Sequence, residues 1–199
     1  MLNSALIIGY GSIGRRHARI LKNKIKIKEI TICTRQKINR FKTLRNLSDL
    51  KTKPSYIVIA SPTSMHFKQL KYIEKNFKNV PVLVEKPLFQ KNKKFSIKNN
   101  KIFVGYNLRF HPIIKYLKKN IKKKEIIDIK VCSNSYLPDW RKNLSYEKSS
   151  SAHKKLGGGV ILDLSHELDL IRWLFGEITI KFIQKGKFSS LLINTEDLL

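Results

Sequence analysis

Cysteine is nearly absent: Cys33 and Cys132 are the 2 in 199 residues, far apart and in no paired motif. That excludes a disulfide framework and a cysteine-based zinc site, and no metal is expected. It also suits a reducing compartment, so a cytoplasmic location is expected. Acids are scarce, with 14 Asp and Glu against 41 Lys and Arg, and the formal charge is +27. No apolar run approaches the ~18 residues of a membrane span. The segment Met1 to Ile8 is apolar but has no basic region before it and no small-residue cleavage site, so it does not read as a signal peptide. No membrane partner is expected. Internal repeats and low-complexity linkers are also missing. What is present is 42% hydrophobic and 10% aromatic residue content, enough for a packed core. The length allows one core, or one core and part of a second.

The charge attracts polyanions without specificity. Lysines run along the whole chain, as in Lys22 to Lys28, Lys91 to Lys101 and Lys115 to Lys130, often beside Asn and Ile. No helix-turn-helix, zinc-finger or RNA-sheet signature accompanies them, and aromatics do not interleave with the basic runs. A compositional bias with lysines on solvated faces accounts for the pattern, so no specific nucleic-acid partner is expected. A basic nucleic-acid-binding protein is kept as a lesser alternative. An anionic substrate or cofactor phosphate would gain from the field.

From Met1 to about Lys118 the chain alternates strand and helix. Ala5–Ile8 is a short all-apolar run, as expected for a strand covered on both faces of a parallel sheet. Further strands are predicted at Glu29 to Thr34, Tyr56 to Ala60, Val80 to Val84 and Lys101 to Tyr106. Helices are predicted at Gly14 to Leu21, His66 to Phe77 and Pro112 to Ile121, and Phe41 to Leu50 reads as weakly helical. This order implies an α/β protein with an N-terminal Rossmann-type, doubly wound parallel sheet over residues 1–118.

Gly9, Gly11 and Gly14 form a GxGxxG turn between the first strand and the first helix. The first glycine permits the tight turn, the second lets backbone approach a pyrophosphate, and the third lets helix and strand pack closely. Free N–H groups and the positive end of the helix dipole face the phosphates, so Gly9, Gly11, Ser12, Ile13 and Gly14 are assigned to them. The end of the second strand usually carries an acid that grips the ribose 2′-hydroxyl of NAD. Here Thr34 and Arg35 stand there instead, a hydroxyl and a guanidinium that suit a 2′-phosphate and favour NADP over NAD.

Four more motifs follow in order. They are Ser61-Pro62-Thr63-Ser64-Met65-His66, Glu85-Lys86-Pro87, Gly105 to Pro112 (GYNLRFHP), and Gly157 to Asp169 (GGGVILDLSHELD). Together they resemble the Gfo/Idh/MocA family, the glucose–fructose oxidoreductase and inositol dehydrogenase group. The resemblance covers essentially the whole chain. Tyr136 to Arg141 with Gly157 to Gly176 looks like the subgroup associated with surface-sugar biosynthesis. The resemblance implies further cofactor contacts from Ser61, Pro62, Thr63 and His66, and from Glu85, Lys86 and Asn107. It implies an Asp and a His of the later helix at the substrate, which are Asp163 and His166. Many members have three residues between those two, where this chain has Leu164 and Ser165 alone.

The residues themselves allow that chemistry. Ser61, Lys86 and Asn107 follow strand ends, where an open α/β sheet binds its ligand. Lys86 is a cation with several donors, able to hold a substrate oxygen as charge develops on it. A solvated lysine is the alternative, and the position between a buried strand and Pro87 favours function. Asp163, His166 and Asp169 are spaced by three, which on one helix puts neighbours side by side. A histidine flanked by carboxylates suits proton transfer, and spacing alone fits a salt-bridged surface histidine equally well. Val160 to Phe175 is predicted as one helix closed by Gly176, with Leu164, Leu168, Ile171 and Phe175 as its apolar stripe.

Residues 119–199 read as an incomplete α/β substrate domain, with strands expected from Ile126 and at Ile178 to Ile183 and Ser190 to Ile193. Relatives in the resembled family continue through more strands, so a C-terminally truncated form is expected. The expected function is an NAD(P)-dependent oxidoreductase acting on a sugar or sugar nucleotide, with Lys86, His166 and Asp163 as catalytic residues. The alternative is a catalytically inactive NAD(P)-binding fragment. A homo-oligomer is expected of full-length relatives and not of this chain.

Overall fold

A computed structural model describes residues 2–141 and 145–199. The chain divides into two compact units, Met1–Gly105 and Tyr106–Leu199, so the dividing line falls ahead of the one drawn at residue 118.

The first unit is a six-stranded sheet in the order β3-β2-β1-β4-β5-β6. Its strands are β1 (Ser4–Ile8), β2 (Glu29–Cys33), β3 (Lys42–Leu44), β4 (Tyr56–Ile59), β5 (Pro81–Val84) and β6 (Lys101–Val104), and every pairing is parallel. Helices α1 (Ser12–Asn23) and α2 (Thr63–Asn76) cross between strands. Alternate residues of β1 enter two different cores. Ala5 and Ile7 pack with Ala18 and Leu21 of α1, while Leu6 and Ile8 pack with Leu70 and Ile73 of α2. The all-apolar strand is explained by this two-faced burial, since strand side chains alternate between faces. In α1 the buried positions Gly14, Ala18 and Leu21 recur at helical spacing.

The weak helix over Phe41 to Leu50 does not form. Lys42–Leu44 is an edge strand, followed by a 3₁₀ turn at Leu47–Asp49 that Asn46 and Asp49 cap reciprocally. Pairing decides it: β3 lies parallel to β2, and Thr34 N–H donates to the Leu44 carbonyl at 2.9 Å.

Glu74 near the end of α2 is buried and holds the loop before β6. Its carboxylate accepts the backbone N–H of Lys98 at 2.6 Å, that of Asn99, and Asn100 Nδ2 at 3.0 Å. Burial pushes its pKa up, but these hydrogen bonds outweigh it and hold the carboxyl below its ordinary value.

The second unit contains α3 (Pro112–Asn120), α4 (Val160–Asp163) and α5 (Ser165–Phe175), with 3₁₀ turns between α3 and α4. The single helix expected over Val160 to Phe175 is broken at Leu164, whose backbone leaves the helical region (φ −101°, ψ 28°). The break shifts the buried face. Ser165 and Leu174 are the buried residues of α5, and Leu168 of the expected stripe is exposed. Gly176 closes α5 with φ 102°, as expected. Lys118 and Lys123 donate to the Trp173, Leu174 and Phe175 carbonyls at that end, so part of the lysine excess serves to cap a helix.

The three strands expected in this unit do not form among the described residues. A strand needs a paired neighbour for its backbone groups, and none of the three segments finds one. One antiparallel bridge, Gly186 to Leu198, is present among the described residues.

Candidate functional site

The glycine turn after β1 is built to bring a ligand close to backbone. Gly9 has φ +93°, and a Cβ there would lie 2.6 Å from the Ala60 carbonyl oxygen and 2.7 Å from Ser61 N. Gly14 is equally closed, because a Cβ would lie 2.2 Å from the Gly9 carbonyl oxygen. These two glycines are needed by the fold itself. Gly11 differs: a Cβ there would meet nothing within 4 Å. The space over Gly11 is open, at the N-terminus of α1, and no acid stands in that helix's first turn. The turn therefore fits a pyrophosphate, with Ser12 and Ile13 exposed beside it.

The Gly9 contact brings the β1 and β4 turns together, so Ser61 lies against the glycine loop, and Pro62 and Thr63 open α2 beyond it. Ser61 Oγ donates to Gln69 Oε1 at 2.6 Å. Thr34 and Arg35 follow β2, and the Gln36 N–H donates to Thr34 Oγ1 at 3.2 Å.

His66 is 1% exposed. Its Nε2 faces the Ser61 carbonyl at 2.9 Å, and its Nδ1 faces the carbonyls of Pro87 and Leu88 at 3.1 and 3.3 Å. Burial lowers its pKa against the pull of those carbonyls and of Glu85. The ring thus ties the Ser61 loop to the segment after Lys86. The Lys86–Pro87 peptide bond is cis.

Glu85 is held from two sides. His17 Nε2 donates to Glu85 Oε1 at 2.6 Å, with both side chains about 20% exposed. A Cβ on Gly105 would stand 3.2 Å from the same carboxylate. The residue before Lys86 is thereby fastened to the helix that carries the glycine turn.

In the second unit the motifs Gly105 to Pro112 and Gly157 to Asp169 meet. Arg109 donates to both oxygens of Asp169, Nε to Oδ2 at 2.8 Å and Nη2 to Oδ1. Asp169 raises the pKa of Arg109, chiefly through that hydrogen bond. The Tyr106 ring stands edge-on to His166 with centroids 5.8 Å apart, and its hydroxyl donates to Ser165 Oγ at 3.4 Å. Asn107 opens the 3₁₀ turn that carries Arg109. Asp163 closes α4 and His166 stands in the first turn of α5, so the break at Leu164 removes the shared helix surface expected for that pair. His166 and Asp169 keep theirs.

Sequence reasoning did not find the partners His17, Tyr106, Arg109 and Glu196. Glu196 accepts from the backbone N–H of Ile161 at 3.3 Å, beside Gly159, where a Cβ would collide with its carboxylate. No local pattern links Glu196 to the glycine run 37 positions earlier, so nothing in the sequence marks the contact. Among the described residues no cluster of His, Cys, Asp and Glu could hold a metal, and no helix is long and apolar enough to cross a membrane.

The fold and the open glycine turn define the first unit as a dinucleotide-binding Rossmann module. Residues 4–96 match the model of the Gfo/Idh/MocA oxidoreductase family, described by its NAD-binding Rossmann fold. The match lies within the first unit and covers just under half of the chain, so the first unit is similar to the NAD-binding part of that family. Among solved structures it is similar to myo-inositol 2-dehydrogenase from Lactobacillus plantarum, at 25% identity and TM-score 0.68 over 88% of this chain and 57% of that one. It is similar in fold to the WlbA dehydrogenase from Bordetella pertussis in complex with NADH and UDP-GlcNAcA, at 18% identity and TM-score 0.65 over 88% and 59%. A WlbA (WbpB) dehydrogenase from Thermus thermophilus, in complex with NAD and α-ketoglutarate, gives 17% identity and TM-score 0.68 over 98% and 71%. The chain thus spans less than two thirds of the first two of these proteins. No curated protein matches it.

Proposed function

We propose that this chain binds NAD(P) and carries the residues of an oxidoreductase that acts on a polyol, sugar or sugar nucleotide. The observation that carries the reading is the glycine turn, closed at Gly9 and Gly14 and open at Gly11, within a matched NAD-binding family fold. When bound, the nicotinamide supplies the hydride acceptor or donor. Gly11, Ser12 and Ile13 hold the pyrophosphate with backbone N–H groups. Thr34 and Arg35 receive the adenosine ribose and favour a 2′-phosphate. Lys86 holds the substrate oxygen and stabilises negative charge on it. His166 takes or returns the hydroxyl proton, and Asp163 assists it. His17 and Glu85 act on Lys86 as positioning residues, and His66 does so through its carbonyl contacts. The substrate class is supported by the complex of the Bordetella relative with UDP-GlcNAcA and by the inositol dehydrogenase likeness. The net charge of +27 favours an anionic dinucleotide or sugar nucleotide. A cytoplasmic setting agrees with Cys33 and Cys132 both being free.

The test is a fluorescence titration with NADH and NADPH, followed by nicotinamide absorbance across a panel of polyols, sugars and sugar nucleotides. Saturable dinucleotide binding is expected, with any turnover lost in Lys86→Ala and His166→Ala. Failure of a folded chain to bind either dinucleotide overturns the proposal. Turnover that survives both substitutions overturns the assigned roles.

A further inference from the structure

The loop after β2 carries a second feature. Between Glu29 and Asp49 the chain holds no carboxylate, but it holds Arg35, Lys37, Arg40, Lys42 and Arg45. Two aromatic rings join this loop to the glycine turn. Tyr10, inside the turn, meets Phe41 edge-to-face with centroids 6.2 Å apart and planes at 70°. Each ring carries a guanidinium. Arg15 Cζ lies 5.6 Å from the Tyr10 centroid, and Arg40 Cζ lies 5.9 Å from the Phe41 centroid. Arg15 is held a second time, since its Nε donates to the Tyr10 carbonyl at 3.3 Å. Both rings are half-buried against the β1–β2 core, and both arginines are exposed. The result is a chain of guanidinium, ring, ring and guanidinium running from the glycine turn to the loop that connects β2 to β3.

Those two places flank the adenosine half of a dinucleotide in a Rossmann fold. A guanidinium stacked on a ring gives up little further freedom when it binds, and its fork matches phosphate oxygens. We propose that Arg15 and Arg40, set by Tyr10 and Phe41, form a platform for the adenosine 2′-phosphate of NADP. This deepens the NAD(P) reading above and rests on it. It assigns two arginines and two rings that motif matching leaves out, and Arg35 is then one of three cations rather than the lone determinant.

The test uses calorimetry with adenosine 2′,5′-bisphosphate and 5′-AMP, fragments that differ by the 2′-phosphate alone. The wild-type chain should prefer the bisphosphate by roughly tenfold or more, as for charge-assisted contacts to a phosphate. Arg40→Ala and Arg15→Ala should each remove most of that preference and leave 5′-AMP affinity within about twofold. Arg40→Lys should recover only part, because it keeps the charge and loses the flat fork. Arg19→Ala, an exposed arginine of α1 outside the platform, should change neither ligand. Circular dichroism confirms that the variants are folded. An unchanged preference in both alanine variants, or an equal loss in Arg19→Ala, overturns the platform and leaves dinucleotide binding standing. Failure of the wild type to bind 5′-AMP, the bisphosphate and NADH alike overturns the dinucleotide reading, and the platform with it.

Discussion

Replacing Gly11 with valine separates binding from folding. A Cβ at Gly11 meets nothing within 4 Å, and the backbone there is extended (φ −72°, ψ −166°), a conformation valine adopts readily. The cost to the fold is the weaker N-cap, about 1 kcal/mol. The branched side chain would fill the space over the turn where a pyrophosphate must approach. A hydrogen bond to a charged group is worth ~1.5–3 kcal/mol. Pushing the phosphates off the turn should then raise Kd for NADH by about tenfold to a hundredfold. Gly14→Ala makes the opposite case. Its Cβ would lie 2.2 Å from the Gly9 carbonyl oxygen, so it should lower the melting temperature before any effect on affinity is read. The assay pairs calorimetric NADH titration with thermal denaturation followed by circular dichroism. A folded Gly11→Val chain that binds NADH within about twofold of wild type would refute the argument that the open turn is the phosphate site.

Arg35→Ala should reduce the ratio of NADPH to NADH affinity, more at low salt than at high salt because the site is exposed; an unchanged ratio in fluorescence titrations removes Arg35 from cofactor selection. Glu74→Gln should destabilise the first unit by about 1–3 kcal/mol, since a side-chain amide would face Asn100 Nδ2 donor to donor. The sign of its pH dependence follows from a folded pKa held below the ordinary value. The wild type has this contribution in full above the unfolded glutamate pKa of ~4.3 and loses it as pH falls through the lower folded value. Urea midpoints measured between neutral pH and the acid range should therefore converge for wild type and Glu74→Gln, and a constant difference would show that Glu74 does not act through its charge.

Much of the first unit was legible in the chain because its signals are local. A strand covered on both faces must be apolar at every position, as Ala5–Ile8 is. A turn that must bring backbone to a phosphate needs glycine at Gly9, Gly11 and Gly14, and the structure separates the two that packing needs from the one it leaves open. Elsewhere pairing and packing decided. Lys42–Leu44 carries a weak helical pattern and becomes a strand because β2 offers it a free edge. Ile178 to Ile183 carries a strand pattern and forms none among the described residues, because no neighbour accepts its hydrogen bonds. The partners of the site were hidden for the same reason. His17 reaches Glu85 across 68 positions and Arg109 reaches Asp169 across 60, contacts that no short pattern encodes. Residue type and spacing determined what chemistry the chain could hold. Which groups face each other was decided by the sheet order in the first unit and by the break at Leu164 in the second, where distant segments come within hydrogen-bonding distance.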